Sequence, residues 1–229
     1  LPLVEVIRCE DTEQDVLDIG FGFVKGIGKL PLECMSSPGF VVNRILAPYM
    51  AEAMELAESG VPLAEIDRAA EAFGMPMGPV ELVDSVGIDV ALHVSKVLGA
   101  AMNRPVPQKL ADMVEAGQLG RKSGQGFYRW ESGKAVKPAA GASAAIDDIQ
   151  DRLILPMVNE AVACLHDGVV TDDELLDAGV IFGTGFAPFR GGPLNYARER
   201  GIDDVLARLN EFTQRYGERF TPHGGFSRL

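Results

Sequence analysis

The sequence is poor in the residue types that form disulfides and metal sites. Among its 229 residues are three cysteines and three histidines. The cysteines, which have no paired spacing and stand in apolar surroundings, are Cys9, Cys34 and Cys164. The histidines, which are scattered, are His93, His166 and His223. We therefore predict buried free thiols in a reducing compartment and no metal site.

Positive charge and long apolar runs are also scarce. The formal net charge of −12 argues against a nucleic acid or an anionic membrane as partner, because nothing would offset the repulsion from phosphates. No apolar run approaches the roughly 18 residues of a membrane span, and no signal segment opens the chain. These absences predict a cytoplasmic protein. Because the chain starts in strand-like residues and without Met, we expect a fragment of a longer protein.

What the sequence does contain is one unit that occurs twice. The first copy has Arg44, Pro48, Glu52-Ala53, Gly60, Gly78-Pro79 and Gly87-Ile88-Asp89, and the second has Arg152, Pro156, Glu160-Ala161, Gly168, Gly192-Pro193 and Gly201-Ile202-Asp203. Counterparts lie 108 residues apart at Arg44/Arg152 and 114 apart at Gly78/Gly192, which suggests one six-residue insertion. Duplication of a small helical domain explains this pattern better than a solenoid does.

The first 35 residues differ in character from the rest. Residues 3–9 and 30–35 are short, apolar and strand-like, and residues 13–27 between them are helical in pattern. A single strand–helix–strand segment cannot bury both faces of a sheet. Residues 1–35 therefore resemble the C-terminal remnant of a larger α/β domain, of the Rossmann type.

The remainder is predicted to be mainly α-helical. Apolar residues at spacings of three and four indicate helices through residues 36–130, with a kink at Pro48. Residues 131–145 are small, polar and low in complexity, which indicates a linker. The second helical copy then fills residues 146–229.

Two polar residues are candidates for chemistry. Glu5 interrupts an apolar strand, so either it is solvated on an edge strand or it faces a pocket and orients a histidine that acts as base. Asn43 begins a predicted helix, so either it satisfies backbone groups there or its amide donates to a reacting carbonyl oxygen. The second copy has Asp151 at this position, which cannot donate in that way.

Two glycine-rich segments are weak candidates for phosphate binding. Residues 20–26 lie within a helical pattern, where a dinucleotide loop would have to follow a strand and open a helix. Residues 120–126 lack the glycine spacing of a P-loop. That second segment is either a tight turn or a loop from which Arg121 or Lys122 reaches a phosphate.

Several motifs together resemble a known family. They are residues 38–44 (PGFVVNR), 75–89 (MPMGPVELVDSVGID) and 121–128 (RKSGQGFY), with residues 156–161 (PMVNEA) and 182–193 (FGTGFAPFRGGP) in the second copy. The first three resemble the C-terminal helical domain of L-3-hydroxyacyl-CoA dehydrogenases. The last two resemble its duplicate at the end of multifunctional fatty-acid oxidation α subunits.

This resemblance implies an oxidoreductase of fatty-acid β-oxidation that uses NAD and an acyl-CoA substrate. Glu5 matches the glutamate that orients the catalytic histidine, and Asn43 matches an asparagine near the substrate's thioester and 3-oxygen. Lys122 matches a lysine near the cofactor, and Phe182 matches a substrate-side position that is Tyr in some relatives. A thiolase subunit and a second copy of the chain are the protein partners that the resemblance implies.

The departures from the family define the expected function. The sequence lacks the catalytic histidine, the glycine fingerprint and most of the NAD site, which in the family precede this region. We therefore expect the substrate-binding and assembly portion of the enzyme, inactive by itself. The alternative is a non-catalytic helical module for interaction or dimerisation.

Overall fold

The computed structural model describes residues 2–102, 105–138 and 146–229, and it is mainly α-helical, as predicted. Its strands and α-helices are β1 (Leu3–Arg8), α1 (Gln14–Gly26), β2 (Leu30–Met35), α2 (Val42–Glu58), α3 (Leu63–Phe73), α4 (Pro79–Val86), α5 (Ile88–Met102), α6 (Gln108–Glu115), β3 (Arg129–Glu131), β4 (Lys134–Val136), α7 (Ile146–His166), α8 (Asp173–Thr184), α9 (Pro193–Arg200) and α10 (Ile202–Tyr216). Short 3₁₀ turns lie at Arg121–Ser123, Pro188–Arg190, Glu218–Phe220 and Gly224–Arg228.

The chain divides into two compact units that do not follow the two sequence copies. Leu1–Leu46 and Leu155–Leu229 form one, which we call the strand unit, and Ala47–Ile154 form the other, the hairpin unit. Both boundaries fall inside helices, α2 and α7, just before the prolines within them. The domain limits expected from the sequence lie at residues 35/36, 130/131 and 145/146. They describe the two sequence copies and not these compact units, and they stay a prediction.

The strand unit opens with two parallel strands and the helix that connects them. β1 and β2 pair in register from Leu3 opposite Leu30 to Arg8 opposite Met35. Helix α1 packs on these strands through Leu17 and Val24, which are buried. This strand–helix–strand arrangement confirms the one predicted from sequence.

Helix α8, from the second copy, packs closely on those strands within the strand unit. A side-chain carbon added at Gly179 would lie 2.5 Å from Leu32 Cδ2 on β2. Glycine therefore lets the helix approach the sheet. The largest fully buried side chains elsewhere in this unit are the aromatic rings of Phe186, Phe212 and Phe220.

The hairpin unit packs α3–α6 and the flanking parts of α2 and α7 around Tyr49, Leu56, Ile66, Phe73, Ile88 and Leu153, all fully buried. It also contains a short antiparallel hairpin, β3–β4. Ser132 and Gly133 join its strands with positive φ values of 49° and 78°, as a two-residue hairpin turn requires. This hairpin occupies part of the stretch expected to be a linker, whose last residues, 139–145, lie outside the described residues.

Equivalent residues of the two copies form reciprocal ion pairs. Arg44 Nε lies 2.7 Å from Glu160 Oε1 within the strand unit. Arg152 Nε lies 2.7 Å from Glu52 Oε1 within the hairpin unit, where both side chains are buried. The arginine of each copy thus pairs with the glutamate of the other, the pattern of contacts that two-fold related copies make.

A buried aspartate holds the start of one helix in each copy. Asp67 accepts hydrogen bonds from the N–H groups of Val80 (2.8 Å) and Glu81 (3.2 Å) at the start of α4. Asp177 does the same for Leu194 (2.8 Å) and Asn195 (2.9 Å) at the start of α9. A glycine precedes each of these helices, because any side chain there would collide with the aspartate, and a proline is the first residue of each helix.

The single insertion expected between the copies is wrong, because the extra residues are spread over the loop before α8, the helix α8 itself, which is one residue longer than α3, and the segment before α9. The loop before α8 spans residues 167–172, whereas its counterpart before α3 spans residues 59–62. The segment before α9 spans residues 185–192, against residues 74–78 before α4. The helix-capping aspartates Asp67 and Asp177 are counterparts in the two copies, and they lie 110 residues apart, between the offsets of 108 and 114.

The expectation of three buried thiols is wrong for one of them. All three cysteines are free, and Cys34 and Cys164 are buried, but Cys9 is exposed at the end of β1. Burial raises the pKa of both the Cys34 and the Cys164 thiol to about 12, so these two are unreactive.

Candidate functional site

Glu5 holds the start of helix α2. It lies in the middle of β1, opposite Leu32. Its Oε1 accepts hydrogen bonds from the backbone N–H groups of Val41 (2.7 Å) and Val42 (3.1 Å). The side chain is half-buried and hydrogen-bonded, so Glu5 is not simply solvated on its strand.

Burial governs the electrostatics of this carboxylate. Desolvation raises the pKa of Glu5 above its usual value, and the two backbone hydrogen bonds oppose the rise. In the described part of the chain, Oε2 of Glu5 accepts no hydrogen bond. One oxygen of Glu5 is therefore structural, and the other is available to a further donor.

Asn43 lies in the first turn of α2, directly after the two residues that Glu5 binds. Its side chain is exposed, and among the described residues it forms no hydrogen bond. Because Glu5 performs the capping, the interpretation of Asn43 as the residue that satisfies the helix start is wrong. Its amide group remains available to a ligand.

Helix α8 brings Phe182 into the same unit. A side-chain carbon at Gly183 would lie 2.5 Å from Val42 Cγ2 and 3.0 Å from Leu3 Cδ2, so α8 lies directly against the start of α2 and against β1. Phe182, the preceding residue, is 43% exposed although it is large and apolar. The second copy thus contributes α8 to the unit that contains Glu5 and Asn43.

Lys122 lies in the hairpin unit, apart from the other three candidates. Its Nζ forms an ion pair with Asp89, and both side chains are largely exposed. The hydrogen bond from Lys122 lowers the pKa of Asp89. The lysine is therefore held by a carboxylate at the surface, where an anionic ligand would have to compete with Asp89.

The glycine-rich segment that carries Lys122 is a tight turn around a buried aspartate. Asp84 accepts hydrogen bonds from the N–H groups of Phe127 (2.9 Å) and Tyr128 (2.8 Å) and from Trp130 Nε1 (3.0 Å). Gly120 and Gly126 pass so close to Asp84 that a side chain at either would collide with it. Of the two alternatives for this segment, the structure supports the turn.

The described residues contain neither a metal site nor a membrane-spanning helix. No group of histidine, cysteine, aspartate and glutamate side chains there is arranged to hold a metal ion. No helix there is long and apolar enough to cross a membrane.

Known proteins resemble this chain over one segment and also over nearly its whole length. Residues 39–130 match the profile of the family described as 3-hydroxyacyl-CoA dehydrogenase, C-terminal domain. This segment belongs to that family. Over nearly the whole chain, the fatty acid oxidation complex subunit alpha of Vibrio vulnificus is 37% identical across 236 residues, which cover 98% of this chain and 34% of the relative. The chain thus spans about a third of the length of the curated relatives it matches.

Solved structures agree with the family and its fold. 3-Hydroxybutyryl-CoA dehydrogenase from Escherichia coli superposes with a TM-score of 0.82 over 99% of this chain and 67% of that one, and its 24% identity supports the fold alone. (S)-3-Hydroxybutyryl-CoA dehydrogenase from Ralstonia eutropha has 37% identity and a TM-score of 0.54 over 58% of this chain and 48% of its own.

The 3-hydroxyacyl-CoA dehydrogenase C-terminal domain therefore begins at a helix start that the preceding strand holds. The structure gathers Glu5, Asn43 and Phe182 in the strand unit and leaves Lys122 in the hairpin unit. Sequence analysis missed the three buried aspartates, Asp67, Asp84 and Asp177. The available signal was an aspartate on the apolar face of a predicted helix, where an unpaired charge is costly.

Proposed function

We propose that the chain is the substrate-binding and assembly portion of an NAD-dependent L-3-hydroxyacyl-CoA dehydrogenase of fatty-acid β-oxidation. One observation carries this proposal. Glu5 binds the start of α2 through one oxygen and has a second oxygen available, and Asn43 directly follows the residues that Glu5 binds. A carboxylate and a free amide, with a partly exposed aromatic ring on α8 of the same unit, suit an acyl-CoA substrate and a histidine supplied from outside this chain.

Asn43 is proposed to stabilise charge on the substrate. When a 3-hydroxyl group is oxidised and its proton is removed, negative charge develops on the 3-oxygen. The exposed amide of Asn43 is a donor for that oxygen or for the thioester oxygen, and a preorganised donor of this kind stabilises a transition state. Phe182 offers an apolar surface to the acyl chain but no hydroxyl group.

Glu5 is proposed to orient the histidine that takes the hydroxyl proton. A carboxylate that accepts a hydrogen bond from one ring nitrogen fixes the tautomer and leaves the other nitrogen as the base. Oε2 is the acceptor available for this purpose. Burial destabilises the ionised form of Glu5, as its raised pKa indicates, and a hydrogen bond from the histidine would stabilise that form.

The described residues do not themselves form a dinucleotide site. A diphosphate needs a glycine-rich turn between a strand and the N-terminus of a helix. The turn between β1 and α1 instead contains Glu10, Asp11 and Glu13 and no glycine, so its charge would repel a phosphate. NAD, the hydride acceptor in this proposal, is therefore assigned to a region outside this chain, and Lys122 would contact it only after leaving Asp89.

The alternative proposal, a helical interaction module, also has support. Helix α1 exposes Val16 (57%), Ile19 (72%) and Phe23 (67%), apolar side chains that share one face of the helix. Such a face suits a protein partner. A thiolase subunit, a second copy of the chain and a cytoplasmic location remain parts of the proposal, and the three free cysteines suit a reducing compartment.

The experiment compares the chain with an extended protein, in which the coding region that precedes the chain is also expressed. We expect the 229-residue chain to show no NADH-dependent reduction of acetoacetyl-CoA and the extended protein to catalyse it. Robust turnover by the chain alone would contradict the proposal, as would an inactive but folded extended protein.

A further inference from the structure

The start of helix α2 is capped by a residue from a distant part of the chain. The first N–H groups of a helix have no partner within the helix and are usually satisfied by a Ser, Thr, Asp or Asn just before it. Here the preceding residues are Gly39, Phe40 and Val41, whose side chains cannot accept a hydrogen bond. Glu5, which is 36 residues from Val41 in sequence, fills this role.

The turn that precedes α2 is strained and needs to be held. Gly39 has a φ of 80°, and Phe40 has a φ of 50°, in the left-handed region that bulky residues avoid. Such a conformation persists only where several contacts fix it. Phe40 N–H donates to Ser37 C=O (2.9 Å) within the turn, and the bonds to Glu5 fix the residues that follow.

Asn43 directly follows the two residues that Glu5 holds. Its position relative to β1 therefore depends on Oε1 of Glu5. We infer that Glu5 is a positioning residue for Asn43 through Oε1, in addition to the orientation of the histidine through Oε2. This inference rests on the proposed function, but its structural half can be tested without catalysis.

The division of labour between the two oxygens predicts that two substitutions differ. Glu5→Gln keeps a carbonyl oxygen that can accept both N–H groups but places an NH₂ donor where Oε2 was. Glu5→Met keeps the size of the side chain and removes both acceptors. Glu5→Ala also removes both acceptors, with a smaller side chain, and we expect the same result from it as from Glu5→Met. Glu33→Ala is the matched control, because Glu33 lies on the neighbouring strand and pairs with Arg8, not with α2.

Amide hydrogen exchange of the chain tests the structural half. In Glu5→Met we expect the N–H groups of Val41 and Val42 to exchange at least about tenfold faster, because each loses its hydrogen bond. In Glu5→Gln and in the Glu33→Ala control we expect exchange within about threefold of the unsubstituted chain. Unchanged exchange at both amides in Glu5→Met, or in Glu5→Ala if the first variant does not fold, would overturn the inference.

Steady-state kinetics of the extended protein test the positioning half. We expect Glu5→Met and Asn43→Ala each to raise the KM for the acyl-CoA by about tenfold, and Glu5→Met also to lower kcat. Glu5→Gln should lower kcat and leave KM within about twofold. The double variant Glu5→Met/Asn43→Ala should have no higher KM than either single variant. Equal KM values for Glu5→Met and Glu5→Gln would overturn the inference, whereas an inactive unsubstituted protein would refute the proposed function and leave the exchange result standing.

Discussion

At the scale of single residues, buried aspartates explain the glycines of the repeated motif. Gly78 has an ordinary backbone conformation, with φ of −74° and ψ of 163°. Its side chain is missing for a steric reason, because Asp67 occupies the space next to it while capping α4. At Gly78 the need for glycine thus comes from the neighbouring aspartate and not from the value of φ.

Alanine substitutions at two glycines should therefore have opposite effects. We expect Gly78→Ala to destabilise the chain by about 3 kcal/mol or more, since the aspartate cap must move. Gly22, in the middle of the exposed face of α1, has nothing within 4 Å of an added carbon. Gly22→Ala should stabilise by about 0.5–1 kcal/mol through helix propensity. Urea unfolding measures both, and equal effects would contradict the steric explanation.

Asp177 makes the stability of the chain depend on pH. Burial raises the pKa of its carboxyl to about 6, against the N–H groups of Leu194 and Asn195, which lower it. The folded chain therefore binds this proton more tightly than the unfolded chain does. It follows that the unfolding free energy contributed by Asp177 falls as the pH rises from about 4 through about 6.

Replacement of Asp177 should remove this dependence. Between about pH 4 and pH 6.5 we expect the stability of Asp177→Asn, relative to the unsubstituted chain, to rise by about 2–3 kcal/mol. Asp173 on the same helix is the control, because its hydrogen bond from Arg198 lowers its pKa. Asp173→Asn should change the pH dependence only below about pH 4, where that carboxylate is protonated. Denaturant titrations at several pH values test this, and parallel pH profiles for Asp177→Asn and the unsubstituted chain would contradict it.

At the scale of elements, the reciprocal ion pairs connect the two long helices. The Arg152–Glu52 pair is buried, and replacement of the carboxylate removes this charge–charge attraction in a region of low dielectric. We expect Glu52→Gln to cost about 3–5 kcal/mol. Glu211, whose pairs with Arg208 and Arg215 are exposed, is the matched control, and Glu211→Gln should leave the stability of the chain nearly unchanged. Thermal and urea unfolding compare the variants, and a Glu52→Gln cost as small as that of the control would refute this role.

Elements with clear local signals could be predicted from the sequence, and those that depend on distant partners could not. Helix α3 lies in the region predicted to be helical, residues 36–130, and Gly74, at φ of 117°, ends it. The β3–β4 hairpin was missed because its polar composition resembles a linker, although Ser132-Gly133 is a recognisable turn. The cap of α2 was missed, with Asn43 as one candidate for that role, because the true acceptor, Glu5, is remote in sequence. The residue types of the site were predictable, but the use of each oxygen of Glu5 was not.

At the scale of the whole molecule, the duplication has become unequal. Both copies keep the Arg–Glu pair and the aspartate cap. Only the first copy follows a strand with a carboxylate that holds its first helix, and only the first has Asn43 where the second has Asp151. The second copy instead contributes helix α8, which packs against β1 and the start of α2. One copy thus supplies the polar groups and the other completes the surface around them.

The central claim is that Asn43 acts on the substrate, and steady-state kinetics of the extended protein test it most directly. We expect Asn43→Asp, which gives the first copy the residue found in the second, and Asn43→Ala to lower kcat/KM for a 3-hydroxyacyl-CoA by about 10²- to 10³-fold. Asn210→Ala, at an exposed position on α10, is the control and should leave kcat/KM unchanged. If both Asn43 variants kept the kcat/KM of the unsubstituted protein, the assignment of this site would be wrong.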